Sequence, residues 1–243
     1  MKLQTRRMVN DFVLALDQLD QLPASAGLRQ RSYQLLDARA GEAVLDVGCG
    51  TGLAVAELAA LGVAAAGLDP DPDMIEVAGD RYPKSEFRLG SAESLPYADG
   101  SLRGYRADKV LHALPDPAAA VAEAARVLAP GGRIVLLGQD WEGIAVDSDD
   151  PVLTRRVMAA LSEGIPQPLA ARRYRNLLLD TGFRDVAVEG HLAVFTDIDV
   201  MMHLLRRTSN DPEGPSWLAG QRDRAKRDRF FGMAPILIAS GTR

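Results

Sequence analysis

The chain has 243 residues, with 28 Lys+Arg against 33 Asp+Glu, a formal net charge of -5 and a pI near 5.3. That length buries a full core in one substantial α/β domain without staples, and the acidic balance offers no basic field to a phosphate backbone, so nucleic acid is not expected as a partner. A single cysteine, Cys49, excludes an intramolecular disulfide, and neither Met1–Asn10 nor the Glu57- and Gly62-interrupted stretch from Leu53 to Leu68 makes a signal peptide or a membrane span, so a cytoplasmic location is expected.

Residues 8 to 37 carry apolar side chains at helical spacing, Phe12, Leu14, Leu16, Leu19 and Leu22 among them, with a break at Pro23 and a second run from Leu28 to Leu36. Ahead of a sheet whose ligand sits at the strand carboxyl ends, such a pair folds over the mouth as a lid. It would bring Arg31 and Tyr33 within reach of the ligand, although a solvated arginine and a packed tyrosine are the plainer reading.

The stretch Ala43-Val-Leu-Asp-Val-Gly-Cys-Gly-Thr-Gly52 is an apolar run that breaks into three glycines and passes into a helical segment at Leu53. It reads as strand, tight turn and helix start. Glycines at 48, 50 and 52 remove the Cβ atoms that would hold a ligand off the backbone. A dinucleotide fingerprint would need its third glycine at position 53, which is leucine, and Asp46 would repel a pyrophosphate. The same carboxylate attracts an ammonium or sulfonium. Cys49 is read as a small side chain in a tight loop, since no histidine stands near it in sequence to activate a thiol.

Val44-Leu-Asp-Val-Gly-Cys-Gly-Thr-Gly52 resembles the first motif of the class I S-adenosylmethionine-dependent methyltransferases. The resemblance implies a Rossmann-like, seven-stranded, mostly parallel sheet with helices on both faces, an N-terminal helical lid, and a helical insertion before the last strand. It divides a single domain over 1–243 into a cap (1–40), a cofactor-binding core (41–138), and substrate-side helices with closing strands (139–243). It also implies S-adenosyl-L-methionine as cofactor, with S-adenosyl-L-homocysteine as product, and places Asp46, Gly48, Cys49 and Gly50 against it.

Leu53 to Leu61 continues as a helix, and Val63 to Leu68 is a second strand closed by Asp69-Pro70. An acidic residue about 20 positions beyond the glycines is where such folds hold a ribose, its two oxygens accepting from the two hydroxyls. Asp71 or Asp73 caps the next helix, which carries Met74 and Ile75. After a third strand, Glu86 to Leu89, the run Gly90-Ser-Ala-Glu-Ser-Leu-Pro96 resembles the Gly-Asp-Ala-Glu-x-Leu-Pro stretch of the ubiquinone and menaquinone biosynthesis methyltransferases. There the aspartate meets the adenine amino group. Ser91 stands in its place, uncharged, with Ala92 and Glu93 beside it.

Asp99 to Pro117 is similar to the family's fourth strand and following loop, with Arg103 where an aspartate is usual. Arg106 and Ala107 fall at the strand end, near the methionine part of the cofactor; Arg106 is either a carboxylate contact or a surface arginine. Asp116 and Pro117 start a helix that runs to Pro130-Gly-Gly132, and Arg133 to Gly138 is a fifth strand opening into Gln139-Asp140-Trp141. Asp150-Pro151 starts another helix, amphipathic runs surround Leu153 to Leu161 and Tyr174 to Leu179, and Asp185 to Glu189 alternates as a strand. Thr196 to Arg229 is a charged helical insertion with Met201, Met202, His203 and Trp217, before a final strand from Met233 to Ser240.

Methyl transfer from a sulfonium is a one-step, in-line displacement that needs an aligned acceptor and excluded water, not a protein nucleophile. A hydroxyl or acidic-carbon acceptor requires a general base. His112 is the first candidate and Asp140 the second, with Trp141 as an apolar wall or plain packing. His191 and His203 read as structural or exposed, and no cluster has metal-ligand spacing. Three readings follow: a methyltransferase acting on an O, N or C atom of a small molecule; a cofactor-binding protein that is non-enzymatic or runs another reaction; and a nicotinamide oxidoreductase, disfavoured by Leu53 and Asp46.

Overall fold

A computed structural model describes residues 13, 14, 16–205, 208 and 210–243. Phe12 lies outside the described residues, and residues 16–20 are helical. The second apolar run is helix α1 (Pro23–Leu36). Pro23 opens that helix, because a missing N–H costs nothing in a first turn.

Among the described residues eight strands form one sheet: β1 (Ala43–Val47), β2 (Ala64–Asp69), β3 (Glu86–Leu89), β4 (Leu102–Asp108), β5 (Leu128–Gln139), β6 (Ala145–Val146), β7 (Arg184–Phe195) and β8 (Gly232–Thr242). Their order is β3-β2-β1-β4-β5-β8-β6, with β7 on the far edge of β8. β1 to β5 pair in parallel, whereas β8 runs antiparallel to β5, β6 and β7. The seven expected strands are all present, and two-residue β6 is an addition, paired with the start of β8. β7 is longer than the alternation over 185–189 implies, since Ala187 to Phe195 pair continuously with β8.

Helices α2 (Leu53–Ala60), α3 (Pro72–Arg81), α4 (Pro117–Val127), α5 (Pro151–Glu163), α6 (Ala170–Asp180), α7 (Ile198–Leu205) and α8 (Gly214–Ala225) complete the fold. Three of them begin alike: Asp71, Asp116 and Asp150 each accept from backbone amides of the first turn, with proline next in the chain. The helix after Asp116 ends at Val127, short of the expected stop at Pro130-Gly-Gly132. Leu128 already pairs with Leu102 of β4, so the Pro-Gly-Gly turn is absorbed as an irregularity inside β5 before regular pairing resumes at Arg133.

Strand alternation divides the core in two. Leu45, Tyr105, Ile134 and Leu136 pack on one face with Val121 and Ala124 of α4 and Tyr174 and Leu178 of α6. Val44, Val135, Leu137 and Ile238 pack on the other with Tyr33 and Leu36 of α1 and Ala54 and Leu58 of α2. Each fully buried side chain of this size contributes roughly 1.5–3 kcal/mol, so packing rather than helix propensity holds α1 and α2 in place. A third cluster joins Trp141 to Val157 and Leu161 of α5, Met201 and Leu205 of α7, and Trp217 of α8. The insertion therefore sits at the end of the sheet where β5 emerges. No helix among the described residues is long and apolar enough to cross a membrane.

Candidate functional site

The loop after β1 is built in a conformation that only glycine adopts easily. Gly48 and Gly50 have φ of 67° and 50°. A Cβ at Gly48 would lie 2.3 Å from Val110 Cγ2, whereas one at Gly50 would meet nothing within 4 Å. The first glycine serves the fold, and the second borders open space. That space is a cavity of about 680 Å³, lined by Gly48, Cys49, Gly50, Asp69, Pro70, Met74, Ser91, Ala92 and Glu93 from the expected set. Asp46 and Arg106 also reach its wall.

Asp69 ties the loop to the next helix. Its Oδ2 accepts from Gly50 N and its Oδ1 from Asp71 N, both at 2.9 Å. Each carboxylate oxygen has two lone pairs, so both keep acceptor capacity toward a ligand. Burial pushes the carboxyl up, and the two amides oppose that shift. Burial also pushes the Cys49 thiol up, with Asp46 and Asp69 adding to the effect, so the sulfur is an inert small group in the loop.

Arg106 is not a surface arginine: Nη1 donates to Asp46 Oδ1 at 2.6 Å, Nη2 to Asp108 Oδ2 at 2.8 Å, and Nε to Ser32 Oγ at 2.8 Å. Asp46 and Arg106 are direct partners in the β1–β4 register, and both side chains turn toward α1. Asp46 consequently spends its charge on a protein cation instead of presenting it bare to a ligand. Burial pushes its carboxyl up, with Arg106 pulling the other way. Burial disfavours the guanidinium charge, but Asp46 and Asp108 outweigh it and hold Arg106 protonated. Ala107, one residue on, points to the opposite face and is packed in the core, away from the cavity.

Among the described residues that line the cavity, Asp20, Asp46, Asp69, Asp71, Glu93 and Asp108 stand with Arg29, Arg106 and Lys109. The excess of carboxylates makes the site favourable to a cation even with Asp46 paired. Lys109, at φ 60°, stands 3.1 Å from Asp108 Oδ1 at the end of β4.

The lid expectation holds with different residues. Leu16, Asp20 and Arg29 border the cavity. Arg29 grips Glu57 of α2 through Nε at 2.8 Å and Nη2 at 2.9 Å, and Tyr33 Oη donates to the same carboxylate at 2.8 Å. Arg31 turns away, its Nε donating to Glu189 of β7 at 2.9 Å. Arg29, Asp20 and Lys109 were not legible as site residues. Asp108 had one signal, its spacing of two from Arg106, which puts both on one face of a strand.

At the far end of the cavity Ser91 Oγ donates to Glu93, whose own amide donates back to Ser91 Oγ at 3.2 Å. The Ser91–Glu93 turn is thereby held closed. His112 lies in a single 3-10 turn, Leu111–Ala113, with its ring 5.3 Å from that of Trp141 at 57°. Ala113, Leu114 and Pro115 border the cavity, but His112 does not. Asp140 is also off the wall: its Oδ2 accepts from Arg172 Nε at 2.8 Å, while its buried Oδ1 has no hydrogen-bond partner among the described residues. Arg103 is remote from all of this, donating to Pro130 O at 3.3 Å near the start of β4.

A family model described as a methyltransferase domain matches residues 45–136, the strands that carry this cavity. The chain is 36% identical over 244 residues to the uncharacterized 37.1 kDa protein in transposon TN4556 of Streptomyces fradiae, covering 95% of this chain and 71% of that one. It is 33% identical over 178 residues to the O-methyltransferase cnsE of Penicillium expansum, covering 70% of this chain and 59% of that one, so it spans less than two thirds of that relative. In fold it is similar to Haemonchus contortus phosphoethanolamine N-methyltransferase 2 solved in complex with S-adenosyl-L-methionine, with a TM-score of 0.62 at 15% identity, covering 95% of this chain and 56% of that one. A loop that needs glycine, a carboxylate clasping it from the next strand and a domain matched over the same strands have one common explanation: this chain carries a methyltransferase domain over residues 45–136.

Proposed function

We propose that this chain, as one domain over residues 1–243, methylates a small-molecule acceptor, most simply at a hydroxyl oxygen. The observation that carries the reading is the carboxylate-rich cavity at the glycine loop, with six acidic side chains against three basic ones among the described residues. Bound there, S-adenosyl-L-methionine supplies an electrophilic methyl group. The backbone of Gly48, Cys49 and Gly50 admits its methionine part, and the mutually neutralised Asp46–Arg106 pair borders that part. Asp69 and Pro70 serve the ribose, and Met74, Ser91, Ala92 and Glu93 the adenine. The lid residues Leu16, Asp20 and Arg29 exclude water, which raises the value of every charge inside.

An oxygen acceptor is favoured because cnsE is named an O-methyltransferase. Such an acceptor loses a proton, and His112 and Asp140 are the groups proposed to take or orient it. The acidic net charge argues against nucleic acid, and a cytoplasmic location is part of the same proposal. That neither His112 nor Asp140 borders the cavity favours one alternative, a protein of this fold that binds the cofactor without transferring its methyl group.

Thermal unfolding with S-adenosyl-L-homocysteine and with NAD separates these from an oxidoreductase: the first raises the melting temperature and NAD does not. Asp69→Ala lowers S-adenosyl-L-homocysteine affinity by about 1–3 kcal/mol, the cost of leaving buried polar groups unpaired. Labelled-methyl transfer into a metabolite library then decides between enzyme and binder; cofactor binding with no acceptor labelled selects the binder.

A further inference from the structure

β7 is the outer strand of the sheet. β8 occupies one of its edges, and no strand among the described residues occupies the other. A free edge of this length is a row of backbone donors and acceptors open to another chain. Its solvent face is apolar, with Val188, Leu192 and Val194 exposed by 42%, 56% and 55%. The strand is regular where it matters: pairing with β8 is continuous from Ala187 to Phe195, and the one irregularity lies before Ala187.

We infer that a second copy of this chain pairs antiparallel along this edge, with Gly190 opposite Gly190, so that two sheets become one. A twofold axis through the sheet keeps each face on its own side, so directly opposed residues must share a face. Centred on Gly190, the pairing sets Val188 against Leu192 on the solvent face. On the other face it sets Ala187 against Ala193 and Glu189 against His191. A pairing centred one residue earlier opposes two Glu189 carboxylates, and one centred a residue later opposes two His191 rings. Of these three centres, Gly190 alone matches apolar with apolar and acid with base.

Two further observations support that centre. His191 Nε2 lies 3.6 Å from Glu189 Oε2 of its own chain, a carboxylate that also accepts from Arg31; Glu189 of the second copy stands directly opposite His191 and adds a second carboxylate to the same ring. Gly190 has no positive φ, and a Cβ there would meet only Leu237 Cδ2 at 3.9 Å, so its own chain does not require glycine. At a twofold axis the missing side chain lets two backbones approach. The edge is also clear of the cofactor cavity, whose wall contains no β7 residue.

Sedimentation velocity of the full chain across a concentration series tests the pairing. The chain is expected to dimerise, and Leu192→Lys to raise the dimer dissociation constant on the order of tenfold, because an added charge on an edge strand opposes pairing. Unchanged S-adenosyl-L-homocysteine binding by the variant shows that its fold is intact. Gly190→Cys is expected to form an intermolecular disulfide under mild oxidation, and Ala187→Cys is not, since the two copies of residue 187 lie far apart in this register. A chain monomeric at every concentration overturns the proposal. So does a dimer indifferent to Leu192→Lys, or one in which Ala187→Cys crosslinks and Gly190→Cys does not.

Discussion

Arg106 and Asp46 oppose each other across the β1–β4 pairing at 2.6 Å, each with a side chain only 3% exposed. Both were candidate cofactor ligands, and each is first of all the other's counterion. The pair is expensive to break from one side, because the remaining charge is left buried without compensation. Arg106→Met is therefore expected to destabilise the fold by about 3–5 kcal/mol, read by urea denaturation. The double variant Arg106→Met, Asp46→Leu should recover much of that loss, since it removes the stranded charge. A double variant as unstable as the single one would show that the pair is not the origin of the cost.

Acid sensitivity should centre on Asp108. Burial pushes its carboxyl up, but Lys109 and Arg106 outweigh it and bring the value down to about 2, from 3.8. A folded value below the unfolded one stabilises the protein above pH ~4, and the contribution is lost as pH falls from there toward 2. At 1.36 kcal/mol per unit the stabilisation is roughly 2 kcal/mol. Asp108→Asn should cost about that at pH 7 and nothing near pH 2, so the denaturation free energies of the two proteins converge on acidification. A constant offset between them would reject the assignment.

Gly48 and Gly50 should separate fold from binding. Gly50→Ala meets no atom, so it pays mainly for the positive φ, roughly 1–2 kcal/mol, while its methyl group stands at the cavity and lowers S-adenosyl-L-homocysteine affinity. Gly48→Ala must also displace Val110, and a Val110→Ala background should restore part of its stability. Calorimetry finding normal affinity in a folded Gly50→Ala protein would remove the loop from the binding site.

His112→Ala is expected to lower methyl transfer by about 10²–10⁴-fold, the usual worth of a general base, while cofactor affinity holds. His112 packs on Trp141 behind the cavity wall, so a purely structural role predicts a lower melting temperature with turnover unchanged. Steady-state kinetics alongside thermal unfolding tells the two roles apart.

What the chain announces locally it announces well. The glycine loop, Asp69 at the end of β2 and the three Asp-capped, proline-started helices are recognisable because each does its work within a few residues of itself. Pro23 and the Pro130-Gly-Gly132 turn show the limit even there, since what surrounds a proline decides whether it ends an element, begins one or is absorbed. Arg103 and Arg106 look alike three positions apart in one strand; one reaches Pro130 at the strand's start and the other is buried against Asp46 near its end. Only the register of β1 with β4 brings residues sixty positions apart into one ion pair, and only the packing of α1 on α2 brings Arg29 to Glu57 and to the cavity wall. Sequence by itself determined the cofactor loop and the strand-helix order, because those depend on local backbone geometry. The tertiary structure decided which charges a ligand meets and which the protein neutralises, because electrostatic partnership depends on distance in space.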